Sequence, residues 1–301
     1  MNSNNVPVLI TIFNRPETTQ KLISALRKVM TTNLYVVADG ARANKPGEKQ
    51  KCEETRQIIE TIDWPCNVHK KYFEENHGCD PTIEIALNWF FEQVEMGIIF
   101  EDDCLPDPTF FDFADTMLEK YKNDERILHI NGSNFQFGKT CGDGSYYFSR
   151  YAHSWGYATW RRAWKLYDHN LSTFPRFKTN KQIDEIIKNR TEQKFWLGFF
   201  QKLYNNKFPF WDARWTYAIW SHNGMCITPN QNLVENIGWQ GDATHTDAGE
   251  KITNRLMTPM QNIIDPSTKN ICEEADWRTF WHYYYRSFWQ KLQYKIRHFL
   301  K

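Results

Sequence analysis

Within the first 131 residues, short runs of apolar residues recur between segments of helical period: 6–13, 34–38, 97–100 and 126–131. A run that is apolar almost throughout has no polar face to offer solvent, so it reads as a strand buried on both sides. Between these runs, Leu22, Ile23, Leu26, Val29 and Met30 fall at helical spacing, and residues 48–62 and 80–94 read as helices. Residues 66–73 alternate for most of their length, as an outer strand does. Pro108 opens a further helix with Phe110, Ala114, Met117, Leu118 and Tyr121 on one face. Strand and helix thus alternate about four times, which predicts an α/β fold with a mostly parallel sheet, flanking helices and right-handed crossovers.

The run at 97–100 ends abruptly in Glu101, Asp102 and Asp103. Three adjacent carboxylates repel one another, and they are tolerable where solvent, a divalent cation or a hydroxyl-rich ligand takes up the charge. The carboxyl ends of strands in an open α/β sheet are where ligands collect. Asp39, before Gly40, ends the run at 34–38 in the same position. The turn after the first run, Asn14-Arg15-Pro16, lacks G-x-G-x-x-G, and G-x-x-x-x-G-K-[ST] occurs nowhere. Lacking a phosphate-cradling glycine loop, such a sheet needs another way to neutralise phosphates, and a bound metal is the obvious one.

A net charge of +1 excludes a general nucleic-acid binder, which needs a basic field. The distribution is uneven, since residues 277–301 hold six basic residues and no acid. Aromatic and basic residues in that stretch fit an interfacial helix on anionic lipid, and they fit equally a C-terminal helix docked on the domain. Seven cysteines at irregular spacing, with no C-x-x-C pair, read as free thiols in a reducing compartment. With no signal peptide or membrane-spanning run, the expected location is the cytoplasm, with contact at the inner face of the cytoplasmic membrane through 277–301.

From Gly132 the pattern turns to loops and aromatics, and a lobe boundary falls near 138–144. The expected organisation is 1–138 and 139–265 as two halves of one domain, followed by a tail at 266–301. Helices are expected at 161–167 and 181–205. Asp212 sits between Trp211 and Trp215, where desolvation raises a carboxyl pKa and ring faces stack on sugars. It reads equally as the cap of a helix beginning near Ala213.

Two stretches carry a family resemblance: Ile12-Phe13-Asn14-Arg15-Pro16, and residues 101–111, where the acids lead through a proline turn into Phe110-Phe111. Together with Ser154-Trp155-Gly156, they resemble GT-A fold glycosyltransferases, in particular bacterial relatives of the inverting N-acetylglucosaminyltransferase I type. The similarity covers roughly residues 6–246. It implies a nucleotide-binding half (1–138), an acceptor-binding half (139–265), and transfer from a UDP-sugar to a saccharide or lipid-linked glycan in surface-polysaccharide or lipopolysaccharide synthesis. It implies Asp103 as ligand of Mn²⁺ or Mg²⁺, with His245 as a second metal or diphosphate ligand. Glu101 and Asp102 would bind ribose and donor-sugar hydroxyls, and Arg15 and Asp39 the base or diphosphate. Asp212 would be the base, with Asp242 as the alternative, and Trp155 and Trp211 would contact the acceptor. The chain departs from the animal enzymes' pattern between 130 and 250, where the acceptor is recognised. Two rival readings are a sugar-1-phosphate nucleotidyltransferase and a non-catalytic, membrane-associated carbohydrate-binding protein.

Overall fold

A computed structural model describes residues 4–206, 209–238 and 256–285. The first apolar run forms β1 (Val8–Ile12), and Pro16 then opens α1 (Pro16–Lys28), whose missing N–H falls where no helical partner exists. Thr19, Leu22, Ile23 and Leu26 of α1 are buried at i, i+3, i+4 and i+7, one stripe against the sheet. β2 (Asn33–Ala38), α2 (Glu48–Ile59), β3 (Asn67–Tyr72), α3 (Cys79–Gln93) and β4 (Met96–Glu101) continue the alternation. A short strand, β5 (Cys104–Pro106), precedes α4 (Pro108–Tyr121), which Asp107 caps by accepting the Thr109 N–H at 2.9 Å. Phe110 and Phe111 of α4 pack against the fully buried Phe100 of β4, with ring centroids 5.8 and 5.9 Å away. Truncating a ring such as Phe100 to alanine costs about 3–5 kcal/mol, so this contact fixes the helix over the strand that carries the acids.

The second stretch contributes β6 (Ile127–Asn131), β7 (Tyr146–Ser149), β8 (Tyr157–Trp160), β9 (Met225–Pro229) and β10 (Val234–Asn236). Between β8 and β9 lie α5 (Arg161–Trp164), α6 (Phe174–Thr179), α7 (Ile183–Ile186), α8 (Arg190–Tyr204) and α9 (Trp211–Ser221). The main sheet has the order β3-β2-β1-β4-β8-β6-β9-β7. Its β3-β2, β2-β1, β1-β4 and β6-β9 pairings are parallel, whereas β8 runs antiparallel to β4 and β6, and β7 to β9. This is the expected mixed, mostly parallel sheet flanked by helices. β8 lies between β4 and β6, so one sheet runs beneath both halves. β10 pairs with β5 in a separate antiparallel ribbon.

Several expectations are corrected. The helix expected at 181–205 is two, because Asn189 accepts the Thr191 and Glu192 N–H groups and starts α8 afresh. Cys141 and Cys272, 131 residues apart, form a disulfide rather than two thiols, while Cys52, Cys66, Cys79, Cys104 and Cys226 are free. Of the tail, α10 (Glu273–Thr279) and a π-helical turn (Phe280–Tyr284) dock on the domain, with Ala275 and Phe280 fully buried. Residues 286–301 lie outside the described residues. No helix among the described residues is long and apolar enough to cross a membrane.

Candidate active site

At the carboxyl ends of β1, β2 and β4 a cleft of about 860 Å³ opens toward the start of α9. Arg15, Asp39, the Glu101–Asp103 acids, Trp155, Trp211 and Asp212 all line it. His245 and Asp242 lie outside the described residues.

Parallel register sets β1 directly beside β4, with Thr11 paired to Glu101, so the turn after β1 meets the acids after β4. Asp102 is buried, and its Oδ2 accepts the Phe13 N–H at 3.0 Å. The Arg15 guanidinium donates to Asp102 Oδ1 at 3.1 Å and to Asp103 Oδ2 at 2.7 Å. Burial raises the Glu101 carboxyl well above the usual carboxylate range, with Asp103, Asp102 and Asp212 adding repulsion and Arg15 opposing it. Burial also raises Asp102, Asp103 adds to this, and Arg15 again opposes it. The site therefore concentrates negative potential, which a cationic ligand group relieves.

Two of the expected donor-binding residues have oxygens engaged within the protein. Asp102 holds the turn after β1 and accepts from Arg15. Asp39 uses both oxygens: Oδ1 accepts the Gly40 and His77 N–H groups at 2.9 Å each, and Oδ2 accepts from Asn76 Nδ2 at 2.8 Å and the Gly78 N–H at 3.0 Å. Four bonds fill a carboxylate's lone pairs, so Asp39 fastens the loop before α3 instead of offering an acceptor to a base. Gly40 is required there, since a Cβ would fall 2.4 Å from the Glu75 carbonyl carbon.

Asp212 lies in the first turn of α9 rather than before it. Its Oδ1 accepts the Ala213 N–H at 2.9 Å. The helix starts at Trp211, with Phe210 at the capping position. Arg214, two residues beyond Asp212, makes a buried ion pair with Asp80 of α3 at 3.0 Å and donates from Nε to the His169 carbonyl. This pair fastens α9 to α3.

Sequence reasoning missed Arg42, whose guanidinium lies 5.6 Å from the Phe13 ring centroid and pairs with the buried Glu48. Arg42 holds the Glu48 carboxyl below the usual range. Lys45 and Lys51 line the same rim. The signal was present as a basic cluster just after the Asp39-Gly40 turn.

Among the described residues, no group of three or more His, Cys, Asp or Glu side chains is disposed to hold a metal. Mg²⁺ needs no such cage when it arrives with a nucleotide: it takes one or two carboxylates and completes its shell with phosphate oxygens and water. Asp103, whose side chain is 13% exposed at the cleft, fits that substrate-borne mode. Gly238 packs directly against that carboxylate, since a Cβ there would fall 2.4 Å from Asp103 Oδ2.

No family model matches the chain, and no curated protein matches it. Among solved structures, it is similar to an apo UDP-glucose pyrophosphorylase (9% identity, 74% of this chain and 90% of that one, TM-score 0.36). It is also similar to a 4-diphosphocytidyl-2C-methyl-D-erythritol synthase from Anaerococcus prevotii (9%, 54% and 73%, TM-score 0.33). A third is mouse xyloside xylosyltransferase 1 (10%, 44% and 54%, TM-score 0.31), of which this chain spans about half. At those scores the likenesses carry no weight in the functional reading, which rests on the site itself.

Proposed function

We propose that the chain is a glycosyltransferase that moves a sugar from a nucleoside diphosphate, a UDP-sugar, onto a saccharide hydroxyl with inversion. The observation that carries this reading is a single cleft lined both by the acids after β4 and by Asp212 at the start of α9. Asp103 would hold a Mn²⁺ or Mg²⁺ ion, whose charge stabilises the diphosphate leaving group when bound. Arg15, which lines the cleft beside those acids, would pair with phosphate oxygens in the bidentate manner of a guanidinium. Glu101, which lines the same cleft, would hydrogen-bond a donor-sugar hydroxyl. Asp212 takes the proton from the acceptor hydroxyl as that oxygen attacks the anomeric carbon. A single displacement with one base gives inversion.

The test is thermal stabilisation of the full chain by UDP with Mn²⁺, followed by transfer assays on an acceptor panel. Asp103→Ala loses the Mn²⁺-dependent part of the stabilisation. Asp212→Asn keeps it and lowers transfer by about 10²–10⁴-fold, the range for losing a general base. No stabilisation of the parent by any nucleotide or nucleotide sugar overturns the proposal.

A further inference from the structure

The π-helical turn Phe280–Tyr284 sends two neighbouring tyrosines to different environments. Tyr284 enters the core, its ring stacked 5.2 Å from Tyr151 and edge-on 4.9 Å from Trp196. Tyr283 instead reaches the wall of the cleft. Its ring centroid is 4.3 Å from that of Phe135 and 6.2 Å from that of Trp155, and those two rings are 5.3 Å apart. π-Helical turns are rare and concentrate at functional sites, because the extra residue re-aims a side chain that an α-helix would point elsewhere.

The turn is firmly placed. Asp276 accepts from Ser149 Oγ at 2.6 Å and from the Arg150 N–H and guanidinium at 3.1 and 3.0 Å. Gln136 donates to Thr279 Oγ1 at 3.0 Å and accepts from Arg278 Nε at 2.7 Å. The Cys141–Cys272 disulfide ties down the start of the segment. A ring fixed from so many directions is presented to the cleft at small entropic cost on binding.

We infer that Tyr283 is a specificity-determining residue of a saccharide subsite, forming with Trp155 an aromatic wall against which the apolar C–H face of a pyranose ring stacks. The wall lines the same cleft as Trp211 and Asp212, and Asp212 is the residue beside which the proposed reaction places the acceptor hydroxyl. The bound sugar is therefore the acceptor, an assignment that rests on the transferase reading; saccharide binding by the wall does not.

The test uses the full chain on an array of immobilised hexose, N-acetylhexosamine and deoxyhexose glycosides, with affinities for any retained glycan then measured by calorimetry. The parent retains at least one glycan. Tyr283→Ala weakens it by about tenfold or more, and Tyr283→Phe, which keeps the ring, stays within about twofold. Trp155→Leu carries the same expectation as the alanine variant, which guards against misfolding at one position. Trp277→Ala binds like the parent, because Trp277 is 51% exposed on the outer side of the same segment. A parent that retains no glycan, or a Tyr283→Ala and Trp155→Leu pair that binds like the parent, overturns the inference. Glycan retention without nucleotide stabilisation keeps the wall and removes the transferase reading.

Discussion

Replacing Arg214 with methionine tests how α9, and with it Asp212, is held in place. The Arg214 and Asp80 side chains are 3% and 7% exposed, and their charged atoms meet at 3.0 Å. Methionine keeps much of the volume but takes the guanidinium counter-charge away from the buried Asp80 carboxylate. Breaking a buried pair from one side costs about 3–5 kcal/mol. Losing the bond from Nε to the His169 carbonyl, 3.0 Å long, costs about 1 kcal/mol more. Against a typical total stability of about 5–15 kcal/mol, the variant loses a third of its stability or more. Urea unfolding at pH 7, followed by tryptophan fluorescence, reads this as a lowered midpoint with unchanged slope. Adding Asp80→Asn removes the stranded charge, so the double variant is more stable than Arg214→Met alone. If both single variants stay within about 1 kcal/mol of the parent, or their losses simply add in the double variant, the pair does not secure α9.

Stability also depends on pH through α8. Burial pushes the Glu192 carboxyl, bonded to the Tyr151 hydroxyl at 2.5 Å, up to about 7. Its unfolded value is about 4.3, so its contribution is full below that pH and is lost as pH rises toward 7, by about 1.4 kcal/mol per pH unit. Glu192→Gln removes that slope from urea stability measured between pH 5 and 7, and an unchanged slope refutes the assignment. Thiol titration in denaturant finds five reactive cysteines before reduction and seven after it. Seven at the outset would contradict the Cys141–Cys272 bond.

The first half of the fold was legible because its strands are buried on both faces and their helices begin at Pro16 and Pro108, so local chemistry and tertiary position agree. Gathering Arg15 beside the acids required the parallel pairing of β1 with β4; the strand-helix alternation implied parallel strands but not that order. Other features depended on contacts remote in sequence. Asp39 looks like a ligand group until Asn76, His77 and Gly78 come to fill its oxygens. Cys141 and Cys272 meet only after α10 has docked on β7, where the Cys272 N–H donates to the Phe148 carbonyl. Residues 281–285 carry the same helical pattern whether they face lipid or protein. Periodicity cannot report the π-helical turn that separates Tyr283 from Tyr284.

A continuous sheet under both halves has a consequence for how such a scaffold diversifies. Eight strands joined edge to edge do not hinge, so the span from the end of β4 to the start of α9 is set by strand spacing and by the Asp80–Arg214 tie. The cleft floor then works as a fixed gauge on which only the rim changes. On the proposed transferase reading, new sugar preferences would arise from substitutions and insertions in the loop before β8, in the residues leading into α9 and in the docked C-terminal turn, with the residues after β4 left at constant geometry.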